Sequence, residues 1–113
     1  MNIINSTSIN AYRFLRATAS QSGTDAPIIL VFENNLKFTL TFTRLGVGSY
    51  KITFSSLLYI NKLLINFGSG LITLSSFDGN SIQFNTYTIA DGVPPTLADD
   101  LLTNTAFELI YYA

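Results

Sequence analysis

Residues 37–54 read KFTLTFTRLGVGSYKITF, and their alternation decides the fold class. Phe38, Leu40 and Phe42 alternate with Lys37, Thr39, Thr41 and Thr43. Tyr50, Ile52 and Phe54 then alternate with Lys51, Thr53 and Ser55. A period of two puts one set of side chains on each face of a strand. Between the runs lies Leu45-Gly46-Val47-Gly48, and glycine supplies the positive φ of a tight reversal. Two alternating runs joined by a short Gly-containing loop predict an antiparallel hairpin. One face is aromatic and aliphatic and needs a second layer. The other is rich in Thr and Lys and suits water or a polar partner.

Working outward, Asp25-Ala26-Pro27 breaks the chain before the hairpin. Ile28 to Glu33 (IILVFE) is a continuous apolar run, the pattern of a strand buried on both faces. Asn34-Asn35 turns it into the hairpin. Beyond the hairpin, a loop near Ser55 to Leu58 leads to a strand from Ile60 to Phe67, although apolar spacing there also fits a short helix. Gly68-Ser69-Gly70 reads as a reversal and Leu71 to Phe77 as a strand. Asp78-Gly79 is a hairpin signal, and Ser81 to Ile89 alternates again. Ala90 to Asn104 is the longest irregular segment, and Ala106 to Tyr112 closes the chain as a strand.

Seven or eight short strands at close spacing predict an all-β, antiparallel β-sandwich, with an up-and-down barrel as the alternative. Residues 1–16 are expected to form an extended N-terminal arm and residues 17–113 the sandwich. Tyr12 to Arg16 fits a strand or a turn of helix, and spacing does not separate the two. As an arm, this region offers Ile9, Tyr12, Phe14, Leu15 and Arg16 as partner-interface anchors, because such side chains are costly in water and effective at interfaces. The alternative is a frayed terminus followed by an edge strand.

Composition narrows function. The 113 residues suffice for one core. Charged residues are 12%, about half the ~25% of a typical domain, so the polar surface is Ser, Thr, Asn and Gln. Such a surface suits partner contact or an exposed extracellular life. Net charge is −1 with six Lys and Arg, which gives no phosphate-tracking stripe and no nucleic-acid partner. The chain has no Cys and no His, which removes disulfides, thiol catalysis and the commonest general base. No apolar run reaches the ~18 residues of a membrane span. MNIINSTSIN lacks the basic start and apolar core of a signal peptide. The expectation is no membrane insertion, and a chain that stays in the cell that makes it or leaves by lysis.

The remaining candidates for chemistry read as structural. Asp91, Asp99 and Asp100 share a loop, but neighbouring Asp99 and Asp100 point apart. They lack both the spacing of a Ca²⁺ loop and the facing geometry of a glycosidase pair. Capping of a turn, with Thr96 at its start, is the expected role. Arg44 is expected to pair with Glu33 or Glu108 along a sheet edge. Tyr50, Tyr59, Tyr87, Tyr111 and Tyr112 pack a sheet or form a sugar-stacking platform. Gly46-Val47-Gly48 and Gly68-Ser69-Gly70 lie between strands and are not phosphate loops. No catalytic residue, metal ligand or cofactor is assigned, and an enzyme is not expected.

Several pieces together carry a resemblance. They are Ala17 to Pro27 (ATASQSGTDAP), Thr43 to Tyr50 (TRLGVGSY), Asn61-Lys62, Leu101 to Thr105 (LLTNT) and Phe107 to Tyr112 (FELIYY). Their order and spacing, over residues 17–112, resemble small β-domain structural proteins of tailed bacteriophages, particularly those of Bacteroidetes, including crAss-like phages. The resemblance implies a virion component, a head fibre or capsid decoration subunit made in the host cytoplasm and released by lysis. It implies a dimer or trimer of itself, docked on capsid or other virion proteins. The alternative function is an adhesion module that binds host-surface glycans.

Overall fold

A computed structural model describes residues 12–68, 72–90 and 92–112. Within them the chain forms nine strands and one short 3₁₀ turn. The strands are β1 (Tyr12–Ser20), β2 (Ile28–Asn34), β3 (Leu40–Gly46), β4 (Ser49–Phe54), β5 (Leu63–Phe67), β6 (Ile72–Phe77), β7 (Ser81–Ala90), β8 (Val93–Leu97) and β9 (Thr105–Tyr112). One sheet runs β2-β1-β9-β5. The other runs β3-β4-β7-β6, with β8 added against β7. Every pairing is antiparallel. The two sheets pack face to face as a β-sandwich.

The alternation seen in the sequence builds the core. Tyr50, Ile52 and Phe54 of β4 and Ile82 and Phe84 of β7 face Leu15, Ala17 and Ala19 of β1 and Phe107 and Leu109 of β9, and all are buried. Small and large residues complement each other across the β1–β9 pair, where Ala17 lies opposite Phe107. Rings bridge the sheets: Phe42 meets Phe107 at 5.7 Å and Phe67 meets Phe84 at 4.9 Å between centroids. Such pairs add about 0.5–1.5 kcal/mol each beyond the area they bury.

The central hairpin turns at Val47-Gly48, where Gly46 pairs with Ser49 and Gly48 has φ +63°. Here glycine is required twice over. A Cβ on Gly48 would stand 2.5 Å from the Ala98 nitrogen, 2.8 Å from the Thr86 oxygen and 2.9 Å from the Ala98 oxygen, all backbone atoms. The Asp78-Gly79 hairpin also forms: Gly79 has φ +95° and the Asp78 carboxylate accepts from the Ser81 backbone N–H at 2.9 Å.

Four expectations are corrected. Residues 12–16 are not an arm. Tyr12 to Arg16 is the first half of β1, paired residue for residue with Tyr112 to Glu108 of β9, and Leu15 extends the inner face of Ala17 and Ala19. Ile28 to Glu33 does not lie buried between neighbours. β2 is an edge strand, and Ile28, Leu30 and Phe32 are 69%, 60% and 65% exposed. Residues 60–62 form the 3₁₀ turn and the strand begins at Leu63. The irregular segment after β7 contains β8, whose Pro94 and Pro95 are tolerated because, among the described residues, β8 pairs only with β7. The reversal at Gly68-Ser69-Gly70 lies partly outside the described residues.

Candidate assembly interface

The outer face of the β2-β1-β9-β5 sheet exposes several large apolar side chains, Leu30, Phe32, Leu64 and Tyr112 among them. Partners in register share a face, and Leu15, Ala17, Ala19, Phe107 and Leu109 point into the core. Tyr12, Phe14, Arg16 and Thr18 of β1 therefore point outward. With them stand Glu108, Ile110 and Tyr112 of β9 and Leu64 and Asn66 of β5. On β2, Leu30 is opposite Thr18 and Ile28 opposite Ser20. The register slips by one residue between Arg16 and Ala17, which leaves Phe32 as the extra residue of a β-bulge. The bulge puts both Phe32 and Glu33 on the outer face: Glu33 meets Arg16, and Phe32 lines a groove with Arg16 and Glu108.

Charge sits at the middle of this face and is largely satisfied there. Arg16 Nε donates to Glu108 Oε2 at 2.8 Å and Nη1 donates to Glu33 Oε1 at 3.3 Å. The guanidinium also lies 4.4 Å from the Phe14 ring centroid, a cation–π geometry. Hydrogen bonding to Glu108 chiefly raises the Arg16 pKa, with Glu33 adding to it. Around this pair run Tyr12 against Phe14 at 6.1 Å and Tyr12 against Tyr112 at 5.7 Å. A groove of about 400 Å³ lies beside them, lined in part by Arg16, Phe32, Asn66 and Glu108. Aromatic side chains and Arg around a neutralised centre are the make-up of an interface core.

Of the anchors expected from sequence, Tyr12, Phe14 and Arg16 come together on this face. Leu15 does not: its side chain is in the core and 5% exposed. Ile9 lies outside the described residues. Leu30, Phe32, Leu64 and Ile110 were missed, because which side of a sheet faces water depends on strand order, and spacing does not encode that.

A second cluster closes one end of the sandwich. Arg44 does not pair with Glu33 or Glu108. Its Nη2 donates to Asp99 Oδ2 at 2.6 Å and its Nε spans both carboxylate oxygens. Asp99 also accepts from the Gly48 backbone N–H at 3.1 Å, Gln21 Nε2 at 3.3 Å and the Tyr50 hydroxyl at 2.9 Å. The phenol proton is shared with Gln21 Oε1, which accepts the Asp100 backbone N–H as well. Arg44 and then these backbone and side-chain donors hold the Asp99 carboxyl well below the usual carboxylate range, against the opposing effect of burial. Burial pushes the Tyr50 phenol up. Asp99 is thus a latch between the hairpin tip, the β1–β2 turn and the β8–β9 loop, and not a turn cap on a solvated loop. Thr96 lies in β8 and caps no helix. Among the described residues no buried side-chain N or O lacks a partner, so the latch is closed. Nor do three Asp or Glu converge there as a metal group. Asp91 lies outside the described residues.

The tyrosines serve different places. Tyr50 is in the core and Tyr12 and Tyr112 pair on the outer face. Tyr111 packs edge-on against Phe38 at 5.8 Å, its hydroxyl accepting the Tyr59 N–H. No protein-family model, curated protein or solved structure matches the chain.

Proposed function

We propose that this chain is a non-catalytic structural subunit of a bacteriophage particle, a head fibre or capsid decoration protein. It associates with copies of itself and docks on other virion proteins. The phage assignment rests on the motif resemblance between residues 17 and 112. The assembly role rests on one observation, the apolar outer face of the β2-β1-β9-β5 sheet, where Tyr12, Phe14, Leu30, Phe32 and Tyr112 surround the Arg16 ion pairs. Contiguous exposed apolar patches beyond a few hundred Å² mark interaction surfaces. The mechanism is burial of that surface, with no turnover.

The test compares two exposed sites by sedimentation velocity. Tyr112→Asp puts a charge on the outer face and should shift the chain toward monomer. Thr41→Asp, on an exposed β3 position of the opposite sheet, should leave association unchanged. Equal sedimentation of both variants and the parent would contradict the role of the outer face.

A further inference from the structure

The strand composed for burial stands at an open edge. From Ile28 to Phe32, β2 carries no polar side chain, yet among the described residues it pairs only with β1. The far edge of the same sheet, β5, is only five residues long, follows Lys62 and carries Asn66, and the edges of the other sheet are blunted. β3 exposes Thr41 and Thr43, and β8 contains Pro94 and Pro95. β6 presents Thr73, Ser75 and Ser76 and is broken by a register shift. Charges, prolines and bulges are how edges avoid pairing, and from Ile28 to Val31 β2 has none of them. Its inner side is open too. A cleft of about 180 Å³ runs beneath Ile29 and Val31 toward Phe38, Leu40 and Phe42 at the neighbouring edge of the other sheet.

We propose that β2 pairs antiparallel with β2 of a second copy across a two-fold axis at Leu30, joining the two four-stranded sheets into one. This rests on the assembly reading above and adds to the outer face a second contact between copies, at the sheet edge. The sequence is self-complementary in that register. Leu30 meets Leu30 of the second copy, Ile28 meets Phe32, and Ile29 meets Val31 on the cleft side. Charge is compatible as well: Glu33 falls opposite Pro27 of the second copy, so no two carboxylates face each other, and its own charge is already held by Arg16. A two-fold pairing of one patch with itself is the commonest form of oligomer.

The area fits a modest dimer. Ile28, Leu30, Val31 and Phe32 are between 46% and 69% exposed. At roughly 150–200 Å² per side chain, they offer about 400 Å² per copy. The two copies together bury on the order of 800 Å² of side chain plus the ladder backbone, below the ~1,200 Å² lower bound of stable specific interfaces, as a weak dimer does. The bulge at Phe32 ends the regular stretch, so the ladder is short and the dimer is concentration-dependent.

The absence of cysteine makes the test clean. Directly opposed residues in an antiparallel pair have Cα atoms about 4.5–5.5 Å apart, within the span of a disulfide. Leu30→Cys in the full chain should therefore cross-link to a covalent dimer under mild oxidation. Ile28→Cys is displaced from its own copy by roughly 13 Å along the strand and should not, nor should Thr41→Cys on β3. Leu30→Lys should lower the dimer fraction at least tenfold while circular dichroism stays that of the parent. Cross-linking of all three cysteine variants alike, or of none, in a chain that is dimeric by mass would overturn the β2 register and leave the assembly reading standing. A trimer would do the same. A chain monomeric at every concentration would overturn both.

Discussion

Gly48→Ala should be among the most damaging single-methyl additions in this fold. Three backbone atoms lie within 3.0 Å of the added Cβ, and backbone cannot swing aside as a side chain can. Making room means separating the hairpin tip from β7 and from the Ala98 segment. The hydrogen bonds there would lengthen: Thr86 N–H to Gly48 O at 2.9 Å, Ala98 N–H to Thr86 O at 3.1 Å and Gly48 N–H to Asp99 at 3.1 Å. The left-handed φ of +63° costs alanine about 1–2 kcal/mol, and overpacking adds about 1–3 kcal/mol. The expected loss is about 2–5 kcal/mol, a large part of the ~5–15 kcal/mol of a typical domain. Urea unfolding followed by tyrosine fluorescence measures it, and the melting temperature should fall by roughly 10 °C or more. Gly46→Ala is the matched control, two residues away. Its Cβ meets nothing within 4 Å and its φ is not left-handed, so stability should be unchanged or rise by up to about 1 kcal/mol. A Gly48→Ala protein within about 0.5 kcal/mol of the parent, or two alanine variants of equal stability, would refute the close-packed hairpin tip.

Neighbours on β1 should behave as opposites: Leu15→Ala should cost about 2–5 kcal/mol of stability without altering association of the folded fraction, while Phe14→Ala should weaken association in sedimentation with a much smaller change in unfolding midpoint. Because the folded Asp99 carboxyl titrates below its unfolded value, its stabilisation is complete above the ordinary carboxylate pKa of ~4 and is lost as pH falls through the lower folded value. Acid unfolding curves should therefore show a steeper loss below pH ~4 for the parent than for Asp99→Asn, which should be less stable at pH 7. Deleting residues 1–16 removes Tyr12 to Arg16 from the β1–β9 ladder and should lower the thermal midpoint markedly; a truncated chain as stable as the parent would restore the arm reading of residues 12–16.

Local chemistry made much of the sandwich legible. The period of two in Phe38 to Phe54 locates the hairpin, and the Asp78-Gly79 turn places another. Both alternations name core residues correctly, Tyr50, Ile52, Phe54, Ile82 and Phe84 among them. What spacing could not convey was neighbourhood. IILVFE has the composition of a buried strand, and whether it lies inside a sheet or at its edge depends on which strands flank it. Tyr12 to Arg16 is ambiguous until β9 arrives, nearly a chain length later, to pair with it. The Arg44–Asp99 latch joins residues 55 positions apart, so nothing near Arg44 distinguishes Asp99 from Glu33 or Glu108 as its partner. β8 was hidden by its prolines, which argue against a strand unless that strand pairs on one side only.

If copies of this chain cover the apolar outer face and the β2 edge, the protein in solution is an oligomer. Light scattering of the full-length protein after size exclusion, over a hundredfold range of concentration, tests it most directly. The mass should rise with concentration from 12.4 kDa to at least twice that value. A mass that stays at 12.4 kDa throughout the range would contradict it.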